Sequence, residues 1–178
     1  MARDIQQQDS NSPLTALPPL LRHDSRVVIM GSFPGNASLR AREYYAHPRN
    51  QFWPIVSGLL QHPLRELSYA ERTRYLLDHR IGLWDVYASC LRNGSLDSAI
   101  RSPVPNDLAA LRVMAPELRL VIHNGAESAR RMREIEQLGL PAIRLPSTSP
   151  ANARIDLETK LALWREALTG AGVLPGGS

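Results

Sequence analysis

An asparagine in the stretch HPRNQFW, Asn50, has a type and a position that suggest chemistry. A side-chain amide can hold or orient a water molecule, because its oxygen accepts hydrogen bonds and its nitrogen donates them. Asn50 also stands directly before an apolar helical pattern, and asparagine is a preferred residue at the start of a helix. The sequence leaves both roles open. The neighbouring His47 is interpreted as a hydrogen-bonded loop residue, and Phe52 and Trp53 as core residues.

Two carboxylates, Asp85 in GLWDV and Asp97 in GSLDS, are the acidic groups nearest to the expected site. Either could activate a water molecule as a general base. Asp85 could equally be a hydrogen-bonded residue at a strand end, and Asp97 could belong to a turn or a helix cap. We keep Asp85 as the second candidate for a catalytic residue, after Asn50.

The stretch GSFPG, Gly31 to Gly35, follows an apolar run and could hold a ligand with its backbone. Glycines allow close approach, and the amides of Ser32 and Phe33 could donate hydrogen bonds to a carbonyl oxygen. A tight turn from strand to loop would give the same pattern. Tyr45, the second residue of a tyrosine pair, could stack on a planar ligand such as a nucleobase.

Two further stretches, HNGAES and LPSTSPANA, combine small residues with hydroxyl and amide side chains. Such segments can hold a phosphodiester, or they can cap the helices that follow them. We expect DNA contacts from the small and polar residues of these loops and from the last glycine of GSFPG. These residues are Gly35, Asn124, Gly125, Ser147, Thr148, Ser149 and Asn152.

Four β-rich runs, at 26–31, 81–87, 118–124 and 141–147, alternate with helical patterns. The first and third are nearly continuous apolar runs, which is typical of strands buried on both faces of a parallel sheet. We therefore predict an α/β fold, a three-layer α/β/α sandwich around a short, four-stranded, mainly parallel sheet. Ligands bind such folds beyond the carboxyl ends of the strands, where the loops above lie. One domain is expected at 13–173, between disordered ends at 1–12 and 174–178.

The helices carry recognisable start and stop signals. Ser68 and Glu71 have capping-box spacing, and Asn106 opens a helix that ends before a proline. A single helix is expected from HNGAES to Gly139. In the last helix, an apolar face is predicted that would leave Lys160, the only lysine, far from the site loops. This face comprises Leu157, Leu161, Trp164 and Leu168.

Composition excludes several classes of protein. The 178 residues are 43% hydrophobic and 21% charged, with one cysteine and a net charge of +4. No apolar run is long enough to cross a membrane, and the N-terminal stretch does not resemble a signal peptide, so we expect a cytoplasmic protein. The single cysteine excludes a disulfide framework and a four-cysteine metal site, and no metal is expected. An excess of arginine is compatible with nucleic acid.

Taken together, these stretches resemble the uracil-DNA glycosylase superfamily, from about Arg26 to about Leu168. GSFPG stands at the first motif, AHPRNQFW is similar to the segment that follows it in mismatch-specific members, and LPSTSPANA stands at the second motif. The combination of these with YYAHPRNQFW, GLWDV and GSLDS most resembles the hypoxanthine-DNA glycosylase branch, family 6. The second motif aligns with the family's histidine at Leu145 or, with a shift, at Ser147, so no imidazole is implied there.

The resemblance implies a glycosylase of deaminated bases in DNA, with hypoxanthine first and uracil or xanthine as other substrates. Phe33 stands where mismatch-specific relatives have a catalytic asparagine, so the resemblance moves the important asparagine to Asn50 and the stacking aromatic to Tyr45. With Lys160 away from the site, we expect a monofunctional monomer that needs no cofactor and leaves an abasic site. The alternatives are a non-catalytic DNA-binding protein of the same fold and a hydrolase of nucleosides or nucleotides.

Overall fold

A computed structural model describes residues 12–176 of the chain. The strands, in chain order, are β1 (Leu14–Thr15), β2 (Val27–Gly31), β3 (Ile81–Asp85), β4 (Tyr87–Leu91), β5 (Arg101–Pro105), β6 (Leu120–Asn124) and β7 (Ala142–Leu145). The α-helices are α1 (Asn36–Ala41), α2 (Phe52–Leu60), α3 (Tyr69–Asp78), α4 (Leu111–Met114), α5 (Ala126–Ala129), α6 (Met132–Gln137) and α7 (Leu157–Gly170). Short 3₁₀ helices lie at Leu64–Glu66, Asp97–Ala99 and Leu108–Ala110.

The centre of the fold is a four-stranded parallel sheet in the order β3-β2-β6-β7. Its middle strand β2 is buried over its full length, which explains the continuous apolar run VVIM: both faces of the strand are covered. Alternate side chains point to opposite faces, so Val27 and Ile29 enter one core while Val28 and Met30 enter the other. The predicted parallel α/β sheet is confirmed.

Two helical layers cover this sheet. On one face, aromatic residues of α2 and α7, among them Phe52 and Trp164, form the larger core with α3. On the other face, Leu111 of α4 and Ile135 of α6 pack with Trp84 of β3. The arrangement is the predicted three-layer α/β/α sandwich.

A second sheet, which the sequence did not lead us to expect, joins β1, β4 and β5 in antiparallel pairs. Its outer strand β5 is exposed throughout and contains two prolines, so it has neither the hydrophobic alternation nor the composition typical of a strand.

Between β1 and β2 the chain also covers the edge of the central sheet, since Leu20 and Leu83 exchange backbone hydrogen bonds of 2.8 Å in both directions.

Three helix boundaries test the sequence signals. The capping box at Ser68 is confirmed, because its side chain accepts from the Glu71 amide and the Glu71 side chain accepts from the Ser68 amide. The cap before the Leu108–Ala110 turn is Asp107 and not Asn106, whose side chain instead donates to the backbone oxygen of Asp85 at 2.8 Å. The helix expected up to Gly139 is divided, because the chain leaves helical geometry at Arg131, where φ is −98°.

The two predicted disordered ends fall mostly outside the described residues. The N-terminal one, at 1–12, lies outside them except for its last residue. The tail was expected to begin at Leu174, yet Leu174 is only 9% exposed and packs in the larger core, where its amide donates to the Leu168 carbonyl. Among residues 12–176, no helix is long and apolar enough to span a bilayer.

We predict that Gly82→Ala destabilises the fold, because β3 passes directly beneath the edge-covering segment. A Cβ at residue 82 would collide with the Leu21 side chain and lie 2.9 Å from the backbone oxygen of Leu20. The free energy of unfolding, measured in urea, should fall by about 1–3 kcal/mol. Gly170→Ala is the matched control, since a Cβ there meets nothing within 4 Å. Equal stability of the two variants would show that the edge segment does not confine residue 82.

Candidate active site

A cavity of about 1030 Å³ lies at the carboxyl edge of the central sheet. The final residue of each parallel strand lines it: Gly31, Asp85, Asn124 and Leu145. Because parallel strands end at the same edge, loops that are distant in sequence meet there. Every residue that the sequence analysis assigned to the site lines this cavity, namely Ser32, Phe33, Gly35, Tyr45, Asn50, Asp85, Asn124, Gly125, Ser147, Thr148, Ser149 and Asn152.

The most unusual group in the cavity is the carboxyl group of Asp85, which is only 4% exposed. Its Oδ2 has no hydrogen-bond partner among the described residues, and Oδ1 lies above Gly31, where any Cβ would collide with it. Burial is the main cause that raises the pKa of Asp85 to about 7; Asp97 raises it further, and Arg92 opposes the shift. The group therefore changes charge near neutral pH.

Tyr45 forms an aromatic wall of the cavity. Its ring stacks on Phe52, with centroids 4.0 Å apart and planes inclined by 23°. The backbone of Tyr45 is left-handed, with φ of 55°, a conformation that a residue other than glycine adopts at a cost. Burial, and secondarily the nearby Asp85, raises the pKa of the Tyr45 hydroxyl. Phe52 thus fixes one side of a neutral ring at the cavity wall.

Asn50 has the helix-capping contact that the sequence allowed. Its Oδ1 accepts a hydrogen bond of 2.9 Å from the Phe52 amide, at the start of α2. The same side chain lines the cavity, and its Nδ2 donates to no group within residues 12–176. One oxygen lone pair and two N–H donors are therefore free, so capping and ligand contact are compatible at this residue.

The GSFPG loop is braced by the chain that follows β4. The Ser32 hydroxyl donates to Asp97 Oδ1 at 2.5 Å, and Arg92 donates to the Pro34 carbonyl. The Arg92 guanidinium also lies over the Phe33 ring, 5.0 Å from its centroid. Within the described chain, the backbone amides of Ser32 and Phe33 donate to no acceptor. Both residues line the cavity, so these two unbonded N–H groups are candidates for a ligand contact.

Hydrogen bonds between Asn124 and Thr148 attach the last loop to the sheet. We expected both residues to contact DNA, and their burial differs from that expectation. The Asn124 side chain donates to Thr148 Oγ1 at 2.9 Å and accepts from the Thr148 amide at 3.0 Å. Thr148 is fully buried and Asn124 is 9% exposed, so these side chains are already paired and have almost no surface for a direct DNA contact. Ser147, Ser149 and Asn152 remain partly exposed around them.

His123, the first residue of HNGAES, faces away from the cavity and is completely buried. The Ser128 hydroxyl donates its proton to the Met30 carbonyl at 2.7 Å, so its oxygen accepts from His123 Nδ1 at 2.8 Å. Burial lowers the pKa of His123 to about 4. The imidazole is therefore neutral at pH 7 and belongs to the core.

Lys160 is close to the site loops, which corrects our expectation that it lies far from them. Its side chain is fully buried, and Nζ donates to Gln51 Oε1 at 2.6 Å and to the Asn152 carbonyl at 2.9 Å. Leu157, predicted on the buried face, is 38% exposed. The spacing of Lys160, Trp164 and Leu168, at intervals of four, was the signal that could have placed the lysine on the buried face.

Other cavity residues were not identified from the sequence. Exposed Arg49 and Arg144 contribute positive charge, while Glu127 accepts a 2.8 Å hydrogen bond from the Tyr87 hydroxyl. Only a charge count drew attention to arginine, and such a count cannot tell which arginines lie at the cavity. No group of three or more histidine, cysteine, aspartate or glutamate side chains could hold a metal ion in the described part of the chain.

Comparisons with known proteins identify the family of this chain. The profile of the uracil DNA glycosylase superfamily matches residues 18–168, and the chain belongs to that family. It is 35% identical over 150 residues to a protein named hypoxanthine DNA glycosylase from Methanosarcina barkeri, covering 84% of this chain and 94% of that protein. A protein of the same name from Methanosarcina acetivorans is 36% identical over 137 residues, covering 77% and 87% respectively.

Solved structures agree as well. A solution NMR structure from Methanosarcina acetivorans, described as a proposed uracil DNA glycosylase, superposes with a TM-score of 0.82 at 31% identity, covering 90% of this chain and 99% of that one. The resemblance drawn from the motifs is therefore confirmed.

The pKa of Asp85 predicts a specific pH dependence of stability. Because the folded-state pKa of about 7 exceeds the usual value of 3.8, the contribution of Asp85 is fully present below about pH 4 and is lost as the pH rises through 7. Each tenfold difference in proton affinity between the folded and unfolded states corresponds to about 1.4 kcal/mol. Asp85→Asn should therefore gain stability relative to the wild type between pH 5 and pH 8 in urea unfolding. If the difference in stability between the wild type and Asp85→Asn stayed constant from pH 5 to pH 8, the raised pKa of Asp85 would be contradicted.

Lys160→Met should loosen the cavity loop with little loss of global stability. The substitution removes two hydrogen bonds from a charged donor, each worth about 1.5–3 kcal/mol, but it also removes a buried charge, which offsets much of that loss. Hydrogen exchange in the segment 147–152 should become faster. Arg165→Met, an exposed position on the same helix, is the control and should leave that segment unchanged. Unchanged exchange in Lys160→Met would show that the lysine does not hold the loop.

Proposed function

We propose that this protein is a monofunctional DNA glycosylase that hydrolyses the N-glycosidic bond of a deaminated base, preferentially hypoxanthine, and leaves an abasic site. The observation that carries the proposal is the cavity itself, which combines an aromatic wall, two free backbone amides, an asparagine and a buried carboxyl group. The curated relatives named hypoxanthine DNA glycosylase support the same substrate.

A base inside a duplex cannot be reached by such a cavity, so the nucleotide must rotate out of the stack. Tyr45, held from behind by Phe52, offers a flat surface on which any nucleobase can stack. The amides of Ser32 and Phe33 can donate to the carbonyl oxygen of the base, where negative charge grows as the base departs. Hypoxanthine, xanthine and uracil all have such a carbonyl group.

The reaction consumes one water molecule. Its oxygen forms a bond to C1′ of the sugar while the bond from C1′ to the base nitrogen breaks; the base leaves with the electron pair, and the proton that the water loses ends on the released base. Asn50 can orient this water with its free N–H groups and its remaining oxygen lone pair. Asp85 is the second candidate, because a carboxyl group with a pKa of about 7 can take up the proton of the water at neutral pH.

Polar and basic groups around the cavity suit a phosphodiester backbone. Ser147, Ser149 and Asn152 lie on the loop that Asn124 and Thr148 fasten to the sheet, so their positions are fixed before DNA arrives. Arg49 and Arg144 add exposed positive charge on the cavity lining. Such contacts bind DNA without regard to sequence and weaken as salt increases.

The proposal of a monofunctional enzyme rests on the environment of the only lysine amine, that of Lys160. A glycosylase that also cleaves the strand forms a Schiff base between an amine and the sugar. Lys160 is the only lysine, it is fully buried and does not line the cavity, and its amine is engaged in two hydrogen bonds. Within residues 12–176 no other side-chain amine exists to attack the abasic site.

The test is base release from oligonucleotides that each carry one deoxyinosine, deoxyuridine or deoxyxanthosine, followed by alkaline cleavage of the abasic strand. We expect release of hypoxanthine by the wild type, and a fall in the single-turnover rate of about 10²-fold or more in Asn50→Ala. Asp85→Asn, tested at pH 6 and pH 8, separates the two water-activating candidates. Strand cleavage without alkali would contradict the monofunctional assignment.

Two outcomes would favour other functions. Salt-sensitive DNA binding without release from any lesion would indicate the non-catalytic DNA-binding protein, for which Phe33, at the position of a catalytic residue in relatives, is the motivating observation. Release from free deoxyinosine that undamaged duplex does not inhibit would indicate a nucleoside hydrolase.

A further inference from the structure

Arg92, which directly follows β4, is the only arginine among residues 12–176 that is buried, with 8% of the residue exposed. It forms no ion pair within that part of the chain, and its Nη1 has no hydrogen-bond partner there. Moving an unpaired charge out of water is unfavourable. The position of this charge therefore needs an explanation.

Arg92 lies behind the GSFPG loop and does not line the cavity of the candidate active site. Its Nη2 donates to the Pro34 carbonyl, and its guanidinium lies over the Phe33 ring, 5.0 Å from the centroid. Its Nε donates to the Gly94 carbonyl at 2.9 Å. Arg92 lines a separate, smaller cavity of about 350 Å³. The guanidinium thus joins the first-motif loop to the chain after β4 from outside the active-site cavity.

The hydrogen bonds of Arg92 do not by themselves account for its charge. Two carbonyl oxygens require N–H donors, and a neutral side chain with such donors would avoid the cost of burying a charge. The charge acts on the cavity, because Arg92 opposes the rise that burial causes in the pKa of Asp85 and Asp97, and both of these residues line the cavity. A cation that favours these carboxylates also favours negative charge on a base that departs in the same cavity.

We propose that Arg92 is a positioning residue for base release: it holds the loop whose amides donate to the base, and it places behind that loop a positive charge that stabilises the base as it departs. This inference rests on the proposed function, because it concerns the step in which the base leaves. Backbone amides stabilise an anion only while they point at it, and a charge acts more strongly across a cavity from which water is excluded.

Two substitutions separate the charge of Arg92 from its hydrogen bonds. Arg92→Lys keeps a charged donor, whereas Arg92→Gln keeps a neutral one. With duplex DNA that carries deoxyinosine, the single-turnover rate of Arg92→Gln should fall about tenfold or more. The rate of Arg92→Lys should stay well above that of Arg92→Gln, although a lysine does not reproduce the planar contact with the Phe33 ring. The affinity for DNA should not change in either variant, since Arg92 does not line the cavity.

The matched control is Arg101→Gln. Arg101 also donates to two backbone carbonyls, those of Ser98 and Ile100, both at 2.8 Å, but it is exposed. Its rate should equal that of the wild type. Equal losses in Arg92→Lys and Arg92→Gln would overturn the proposal, since they would show that Arg92 only braces the loop. A wild-type rate in Arg92→Gln would overturn it as well.

A second readout does not depend on catalysis. The titration of the Asp85 carboxyl group, followed by NMR of the carboxyl carbon and assigned with Asp85→Asn, should move to higher pH in Arg92→Gln, because a positive charge that favours the carboxylate is removed. In Arg92→Lys it should stay close to that of the wild type. The other titratable groups around Asp85 are Asp97, Tyr44, Tyr45 and Tyr69. The pKa of each of the three tyrosines is raised, so they stay neutral, and the Asp97 signal is assigned separately with Asp97→Asn.

The two readouts keep this inference distinct from the proposed function. If the wild type released no base from any lesion, the proposed function would fail, and the titration would still test the charge. A shift in Arg92→Gln that is absent from Arg92→Lys would support an electrostatic action of Arg92 on the cavity. An Asp85 titration that is the same in all three proteins would refute it.

Discussion

A carboxyl group that is buried without a cationic partner is the constraint on which the site depends. In the described chain, Asp85 forms no ion pair, and the nearby Arg92 bonds to backbone carbonyls of the loops around the cavity instead. Burying an unpaired carboxylate is unfavourable, and the protein accommodates it by raising the pKa. Only a glycine fits opposite this group, which is why Gly31 ends the neighbouring strand. The first motif is therefore shaped by Asp85 as much as by its own ligand contacts.

Hydrogen bonds, and not ion pairs, connect the layers around the cavity in the described chain. Asn124 on β6 binds Thr148, the Thr148 carbonyl accepts from the Gln51 amide at 2.9 Å, and the Gln51 side chain accepts from Lys160 on α7. This chain of contacts ties the sheet, the last loop and two helices together beside Asn50. Buried polar groups that are all satisfied specify one arrangement and make loosening costly. Two of the buried polar atoms that have no partner in the described chain, Asp85 Oδ2 and the Tyr45 hydroxyl oxygen, line the cavity.

The sequence predicted the sheet and the position of the cavity, because both follow from local signals. A run such as Val27–Met30 is apolar at every position because both faces of the strand are covered. The stretches predicted to form the site follow the ends of such strands in the sequence. Long-range pairing was not predictable in the same way. Nothing local distinguishes Thr148, which is buried against Asn124, from Ser149 beside it, and a lysine gives no sign that it will be buried as Lys160 is. The antiparallel sheet was missed because the exposed β5 has neither the period nor the composition of a strand.

A pocket whose walls are fixed in advance has a consequence for how the proposed substrate would be selected. The cavity walls have little freedom to change shape, because Asn124 and Thr148 are hydrogen-bonded to each other and the backbone of Tyr45 is strained. Most of the deformation on binding would therefore come from the nucleic acid. The mechanical compliance of DNA differs between sequences, and pyrimidine–purine steps are the easiest to open. Lesions in easily deformed surroundings would be processed first, even without side-chain contacts that distinguish the neighbouring bases. A glycosylase with such a pocket would respond to the local deformability of DNA as well as to the chemistry of the base.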